Sequence, residues 1–596
     1  MAPPLQLLIG VMLPLVLGLV LAALQYPYWR LRLAGIPGPF NWPLVGCIPQ
    51  VMRHGGPRFF QRCHQQYGPV FAVSFGSTPA VVVASADLMR QYRATVVPPA
   101  VLYIGMPHRW DDFWRLVRSA WQPAFSSASL AGYLPRMTAC AEQLAGRMED
   151  RARDADGGGG GRVDMWRELG AMTLQVVGST AYGVDFGAMG ATDGAAGGDM
   201  STAAGGGDDG GAKASVDPGP DTAAAVASST SAQKPGYGRH LARACGDFFR
   251  YGSAFYGSRY SRIALLLPPS LRPLLVWLAH KLPDRPFTRL LRARAVLSDT
   301  CHGLIDDWKC QHGQGEQQGG QRGRQANGSA ALPPAGPVTA AATAAPQEEE
   351  EGHAAAGGKA PAVEAGSFLG LILSARDKAT GQGLSDSQVV AQVQTFILGG
   401  YETTANALSF AVYNIATHPE VEARLVAELD SELGSDRLPT AADLPRLVYT
   451  EAVFNEAMRL YPPAHAAPRI AFDEPTQVGR FTVPAGTPII LAIYTAHHDP
   501  RVWPRPEEFI PERFLPESPL HPQVAARVPG AHAPFGYGSR MCIGWKFAVQ
   551  EAKIALACLY RRLRFELEPG QVPLPVVAAL TLAPRDGLWV RPVARR

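Results

Sequence analysis

The sequence predicts a mainly helical fold with a minor β-sheet portion behind a membrane-crossing helix, and three observations carry that expectation. A charge-free apolar run opens the chain. The pattern after Gly366 is mainly helical up to the Pro-rich stretch near Pro462, and short β-type runs such as Thr487 to Tyr494 then precede another apolar helix after Gly544. Hydrophobic residues make up 47% of the 596, enough to bury a large core. The net charge of +4 is too small to argue for nucleic acid as a partner.

In chain order, Ala2 to Trp29 holds no charged residue, and Leu7 to Leu24 would span about 27 Å as a helix, close to the thickness of a bilayer's hydrocarbon core. Tyr26, Tyr28 and Trp29, followed by Arg30 and Arg32, read as interfacial aromatics backed by cytosolic arginines. Residues 1–29 are therefore expected to form an uncleaved single-pass anchor, with residues 30–596 as the cytosolic body. Gly35-Ile36-Pro37-Gly38-Pro39 cannot continue a helix and would set the angle between the two.

Two stretches, 187–237 and 313–366, are rich in Gly, Ala, Ser and Gln with almost no large apolar residues, so they read as disordered inserts. Between them, prolines divide Ile263 to Leu282 into short pieces that core packing would explain, with a membrane contact as the alternative. The eight cysteines lack C-x-x-C or zinc-ligand spacing and read mostly as buried free thiols in a reducing compartment.

One cysteine differs. In Phe535-Gly536-Tyr537-Gly538-Ser539-Arg540-Met541-Cys542-Ile543-Gly544, glycines permit tight turns and close approach by a flat ligand. Cys542 lies just before an apolar helix, whose N-terminal field favours the thiolate that a soft metal ion requires. Arg540 can pair with an anionic group. Gly399-Gly400-Tyr401-Glu402-Thr403-Thr404 sets poor helix formers inside the apolar run Val389 to Tyr413, which starts at a cap formed by Ser385 with Gln388. Glu456 and Arg459 share one helical face at i, i+3.

The segment from Phe535 to Gly544 resembles the cysteine-ligand loop of cytochromes P-450, F-x-x-G-x-R-x-C-x-G, at every fixed position. The resemblance extends from the Gly-Pro-rich stretch to near the C-terminus, excluding the inserts. It implies a haem-thiolate monooxygenase that carries haem b (iron protoporphyrin IX) on Cys542 and inserts one oxygen atom into a lipophilic small molecule. Electrons would come from NADPH through a flavoprotein reductase docking near Lys546. Thr403 would hydrogen-bond oxygen bound at the iron, and Glu402 would help relay protons. Trp114, Arg118 and Arg469, with Phe535 and Arg540, would hold the haem and its propionates. Glu456, Arg459 and the Arg513 of Pro511-Glu512-Arg513-Phe514 would brace its proximal face. A haem-thiolate isomerase acting on a peroxide would need no acid–threonine pair, so Glu402 with Thr403 argues for the monooxygenase.

Substrate is expected along Val101 to Phe113, Phe396 and Gly399, Ala464 to Ala467, and Ala579 to Leu582. The start Gly-Ile-Pro-Gly-Pro and the Gly-Tyr-Glu-Thr-Thr helix look similar to the branch with thromboxane-synthase-like and broad-substrate members. With the anchor, the resemblance implies the endoplasmic reticulum membrane.

Overall fold

The computed structural model describes residues 20, 31–42, 45–76, 78–91, 112–156, 161–190, 237–267, 271–311, 367–376, 381, 383–434, 437–470, 474–520 and 531–595. Its centre is the helix α6, Asp386–Thr417. Large apolar residues such as Val393, Ile397, Leu408, Phe410 and Val412 occur all round it, so it is buried on nearly every side. Its start is fixed by a capping box: Ser385 Oγ accepts from the Gln388 N–H, and Gln388 Oε1 accepts from the Ser385 N–H at 2.8 Å.

Around it pack α1 (Asp112–Trp121), α2 (Ser127–Asp156), α3 (Met165–Val177), α4 (Tyr237–Tyr251), α5 (Arg285–Gln311), α7 (Val448–Leu460) and α8 (Trp545–Tyr560). Their apolar stripes share one continuous core. α3 lies so close to α6 that a methyl group on Gly400 would sit 2.5 Å from Val177 Cγ2.

The β portion is small. β1 (Val70–Phe75), β2 (Thr78–Val83), β7 (Pro488–Leu491) and β4 (Ala467–Ile470) form one sheet in the order β1-β2-β7-β4, with β2 and β7 parallel and the other pairs antiparallel. This sheet covers a second core with the Gly56–Tyr67 helix. β3 (Val163–Asp164), β11 (Trp589–Ala594) and β8 (Leu563–Leu567) form another sheet. β5 (Thr476–Val478) pairs with β6 (Phe481–Val483), and β9 (Val576–Ala578) with β10 (Leu582–Pro584).

The membrane-crossing part of the expected fold is corrected. Among the described residues no helix is long and apolar enough to cross a membrane. The long helices α2, α5 and α6 bury apolar stripes against the core and keep polar or charged residues along their length. Residues 1–29, on which the anchor rested, lie outside the described residues except Val20. The anchor, the membrane as partner and the endoplasmic reticulum location therefore have no structural support and are withdrawn. The inserts fall almost wholly outside the described residues, at 191–236 and 312–366.

Ile263 to Leu282 meets the core-packing expectation only in part, with Leu267, Leu275 and Ala279 buried in a small core. It forms the helices Arg259–Leu266 and Arg272–Lys281, and the second leaves Leu274, Val276 and Trp277 exposed. Six cysteines are buried free thiols, while Cys310 and Cys542 are exposed.

Candidate functional site

The turn before α8 is built by its glycines. Gly536 and Gly538 adopt φ of +77° and +61°, in the left-handed region that glycine enters without steric cost. The chain folds back so that the Cys542 N–H donates to Phe535 O at 2.9 Å, and the Met541 N–H to Gly538 O at 3.0 Å. Cys542 is thereby set at the mouth of α8, two residues before its N-cap, Gly544.

Cys542 is exposed, yet it is desolvated by protein packed around it, which pushes its thiol above the ordinary range. That combination describes a sulfur opening into an internal space. The Gly544 N–H and the Arg118 guanidinium oppose the rise without overcoming it. Desolvation, which disfavours the charged form, is the largest of these effects.

Arg118 on α1 donates from Nη1 to Met541 O at 2.9 Å, tying that helix to the cysteine turn. Arg540 and Phe535 are half-buried in the same turn. Trp114 also lies on α1, but its side chain is outside the described residues, as are residues 101–111 of the expected substrate loop. Arg469 sits on β4 and donates to Pro468 O at 2.8 Å.

A chain of rings links the cysteine turn to α6. A methyl group on Gly544 would lie 3.5 Å from the Phe125 ring and 4.0 Å from Cys542 Sγ. Phe125 stacks on Phe396 with centroids 6.0 Å apart. Phe396, expected in the substrate lining, belongs to an aromatic cluster that also holds Trp121 and Phe368, because those rings offer it more apolar surface.

One turn further along α6, Gly399 is exposed and has nothing within 4 Å of where a Cβ would be. This opening lies on a helix otherwise sunk in the core. Thr403 shares the face, one turn on, and its Oγ1 donates to Gly399 O at 2.6 Å. The helix is assigned continuously through the glycine pair.

Glu402 points elsewhere. Its carboxyl is buried, and Oε1 accepts from Thr581 Oγ1 and, at 3.5 Å, from Asn406 Nδ2. Burial pushes its pKa up to about 8, against the lowering effect of both donors. Sequence reasoning did not identify Thr581, expected only within the substrate lining, or Asn406 as partners of Glu402. Asn406 was detectable, being four residues on from Glu402 on a helix. Thr581, 179 residues away, carried no local signal.

Glu456, Arg459 and Arg513 meet in one cluster, each at most 1% exposed. Arg459 Nε and Nη2 donate to Glu456 Oε2 and Oε1 at 2.7 and 2.8 Å, and Arg513 Nε donates to Oε1 at 3.1 Å. Lys546 is exposed near the start of α8 beside Trp545.

These residues fit a haem: a cysteine sulfur held by a glycine turn in an interior opening, flanked by a guanidinium and aromatic rings. Residues 36–195 and 360–589 match the family model described as cytochrome P450. Three relatives are similar over part of the chain. Cytochrome P450 4V2 of Mus musculus is 38% identical over 226 residues, covering 38% of this chain and 42% of that protein. Cyclooctat-9-en-7-ol 5-monooxygenase of Streptomyces melanosporofaciens is 42% identical over 205 residues, covering 34% and 43%. Cytochrome P450 3A2 of Rattus norvegicus is 36% identical over 233 residues, covering 38% and 45%. The matches span less than half the length of these relatives.

Proposed function

Because the chain belongs to the cytochrome P450 family, whose members carry haem, we propose that it is a haem-thiolate monooxygenase acting on a lipophilic small molecule. The observation that carries the reading is Cys542, opening into an interior space between the Gly544 N–H and Arg118. When bound there, haem b supplies activation of molecular oxygen, and its thiolate ligand favours O–O cleavage.

The chain's own residues do the rest. Cys542 would hold the group through its sulfur, which binds metal as the thiolate. Arg118, Arg540 and Arg469 would pair with the propionates, with Phe535 and Trp114 as further candidates to hold the group, and Arg118 holds the cysteine turn through Met541 O. Glu456, Arg459 and Arg513 hold the proximal wall rigid. The small residues Gly399 and Ala464, both exposed, leave room for an apolar substrate.

Thr403 sets a hydroxyl on the pocket side of α6, and Glu402, protonated at neutral pH, is the adjoining proton reservoir. Electrons come from NADPH through a reductase that meets the exposed Lys546 side. The name of the Streptomyces relative, a monooxygenase of cyclooctat-9-en-7-ol, supports both the reaction type and a largely hydrocarbon substrate.

The test is the ferric absorption spectrum of the haem-loaded protein during titration with a panel of lipophiles, for wild type and Cys542→Ser. A saturable low-to-high-spin shift, followed by oxygen- and NADPH-dependent product with a reductase, is the expected result. A serine variant with an unchanged thiolate spectrum would remove Cys542 as ligand and the reading with it.

A further inference from the structure

Glu402 is held by residues that the acid–threonine motif does not contain. Trp166 at the start of α3 donates from its indole Nε1 to Asn406 Oδ1 at 2.6 Å. An indole N–H is a donor only, so this bond fixes which end of the Asn406 amide faces which way. Nδ2 is therefore turned toward Thr581 Oγ1, at 3.3 Å, and Glu402 Oε1, at 3.5 Å. Thr581 accepts from Asn406 and donates onward to Glu402. Asn406 and Thr581 are 0% and 6% exposed, so this order is set by the fold rather than by solvent.

The placement of Thr581 matters as much as its bond. It lies in the tight turn between β9 and β10, where the Ala579 N–H donates to Thr581 O at 3.0 Å. The next residue, Leu582, donates from its N–H to Pro463 O at 2.9 Å. The turn is thus pinned beside Ala464, and its side-chain hydroxyl is brought to α6 from a distant part of the chain.

We propose that Thr581 and Asn406 are positioning residues for the Glu402 carboxyl, and that Trp166 acts through them by fixing the Asn406 amide. The inference rests on the monooxygenase reading for its consequence, proton delivery, but not for its geometry. A carboxyl with donors on Oε1 is easier to ionise than one left in the bare core, so the network makes Glu402 able to release a proton that burial would otherwise lock in place. Among the described residues, the other titratable groups that feel this carboxyl are Cys245 on α4 and Tyr401, whose thiol and phenol burial pushes far up, so both stay neutral.

The readout that a merely structural role would not move is the infrared carboxylic C=O band of Glu402, assigned by its loss in Glu402→Gln. It is titrated with pH in the haem-loaded protein. Thr581→Val raises the titration midpoint by on the order of one pH unit, because the direct donor is gone. Asn406→Leu raises it less, since its own contact is the longer one, and Trp166→Phe least. Thr581→Ser restores the wild-type midpoint, and Cys245→Ser leaves it in place. In turnover, Thr581→Val diverts a larger share of NADPH from product to peroxide while KM changes little.

An unshifted band in Thr581→Val, with the far-ultraviolet circular dichroism of wild type, overturns the proposal. So does a serine variant as displaced as the valine one. If the bands shift as stated but Glu402→Gln couples NADPH to product as well as wild type does, the positioning stands and the proton role of Glu402 falls. The two failures are therefore distinguishable.

Discussion

Replacing Glu456 by glutamine removes the negative charge from a fully buried ionic cluster, and its cost follows from the bonds that carboxylate makes. Its oxygens accept from Arg459 Nε and Nη2, Arg513 Nε and the Ile510 N–H. Glutamine keeps the shape but offers one acceptor oxygen, and turns an amide N–H₂ toward a guanidinium. Two buried cations then share no counter-charge, a loss of about 3–5 kcal/mol when one member of a buried pair is removed. Whole-protein stabilities are about 5–15 kcal/mol, so the variant sits near the edge of folding. Urea midpoints for wild type and Glu456→Gln, with bound haem measured on the same samples, test this. A change below about 1 kcal/mol would mean that the cluster behaves as a solvated surface pair, refuting the reasoning. Arg459→Lys is a sharper control. The five N–H groups of Arg459 meet Glu456 Oε1 and Oε2 and the carbonyls of His497, Pro506 and Glu508, whereas lysine has only three donors. It should lose most of what Glu456→Gln loses despite keeping its charge.

Three further outcomes follow from single side chains. Glu551 on α8 is buried, neither carboxyl oxygen has a partner among the described residues, and burial pushes its pKa far up. Because the folded protein holds that proton while the unfolded chain releases it above its ordinary pKa, ionisation favours unfolding as pH rises. Glu551→Leu should therefore stabilise by about 1–3 kcal/mol at neutral pH and by less near pH 4, read from thermal midpoints at both. The paired glycines of α6 should separate. Gly399→Ala meets open space and gains about 1 kcal/mol of helix stability while narrowing the pocket, whereas Gly400→Ala strikes Val177 and costs about 1–3 kcal/mol, as urea titration would report. Asp443, held well below the carboxylate range first by Arg437 and then by Thr440, contributes stability above its ordinary pKa and loses it as pH falls. Asp443→Asn should lower stability near pH 7, where solvent screens its half-exposed partner Arg437, and flatten the acid limb of the stability curve.

The sequence was most readable where chemistry is local. The capping box at Ser385, the glycine turn around Cys542 and the i, i+3 pair Glu456–Arg459 each depend on residues a few positions apart, and each forms as spacing alone predicts. It was least readable where burial or distance decides. The α8 field acting on Cys542 is local and legible, but the desolvation of its sulfur depends on what packs around it, and no local pattern encodes that. Phe396 was expected along the substrate; its place among rings from α1 and the Phe368 helix depends on tertiary packing that no local pattern encodes. Apolar residues from Ile263 to Leu282 read as core, yet Trp277 is 57% exposed, since hydrophobicity does not say which face finds a partner.

Glu402 shows how these two kinds of information combine. Helical spacing puts Glu402 and Thr403 about 100° apart round α6, so their side chains leave the helix in different directions. Thr403 shares the Gly399 face, and Glu402 turns into the core. A bare buried carboxyl there would keep its proton at every physiological pH. Ionisation comes within reach only through donors, and those come from one turn along the same helix and from the β9–β10 turn 179 residues away. The motif specifies that an acid is present, while the tertiary structure specifies whether that acid can give up its proton. Substitutions in the β9–β10 turn should therefore alter the ionisation of Glu402 without touching Glu402, Thr403 or Cys542.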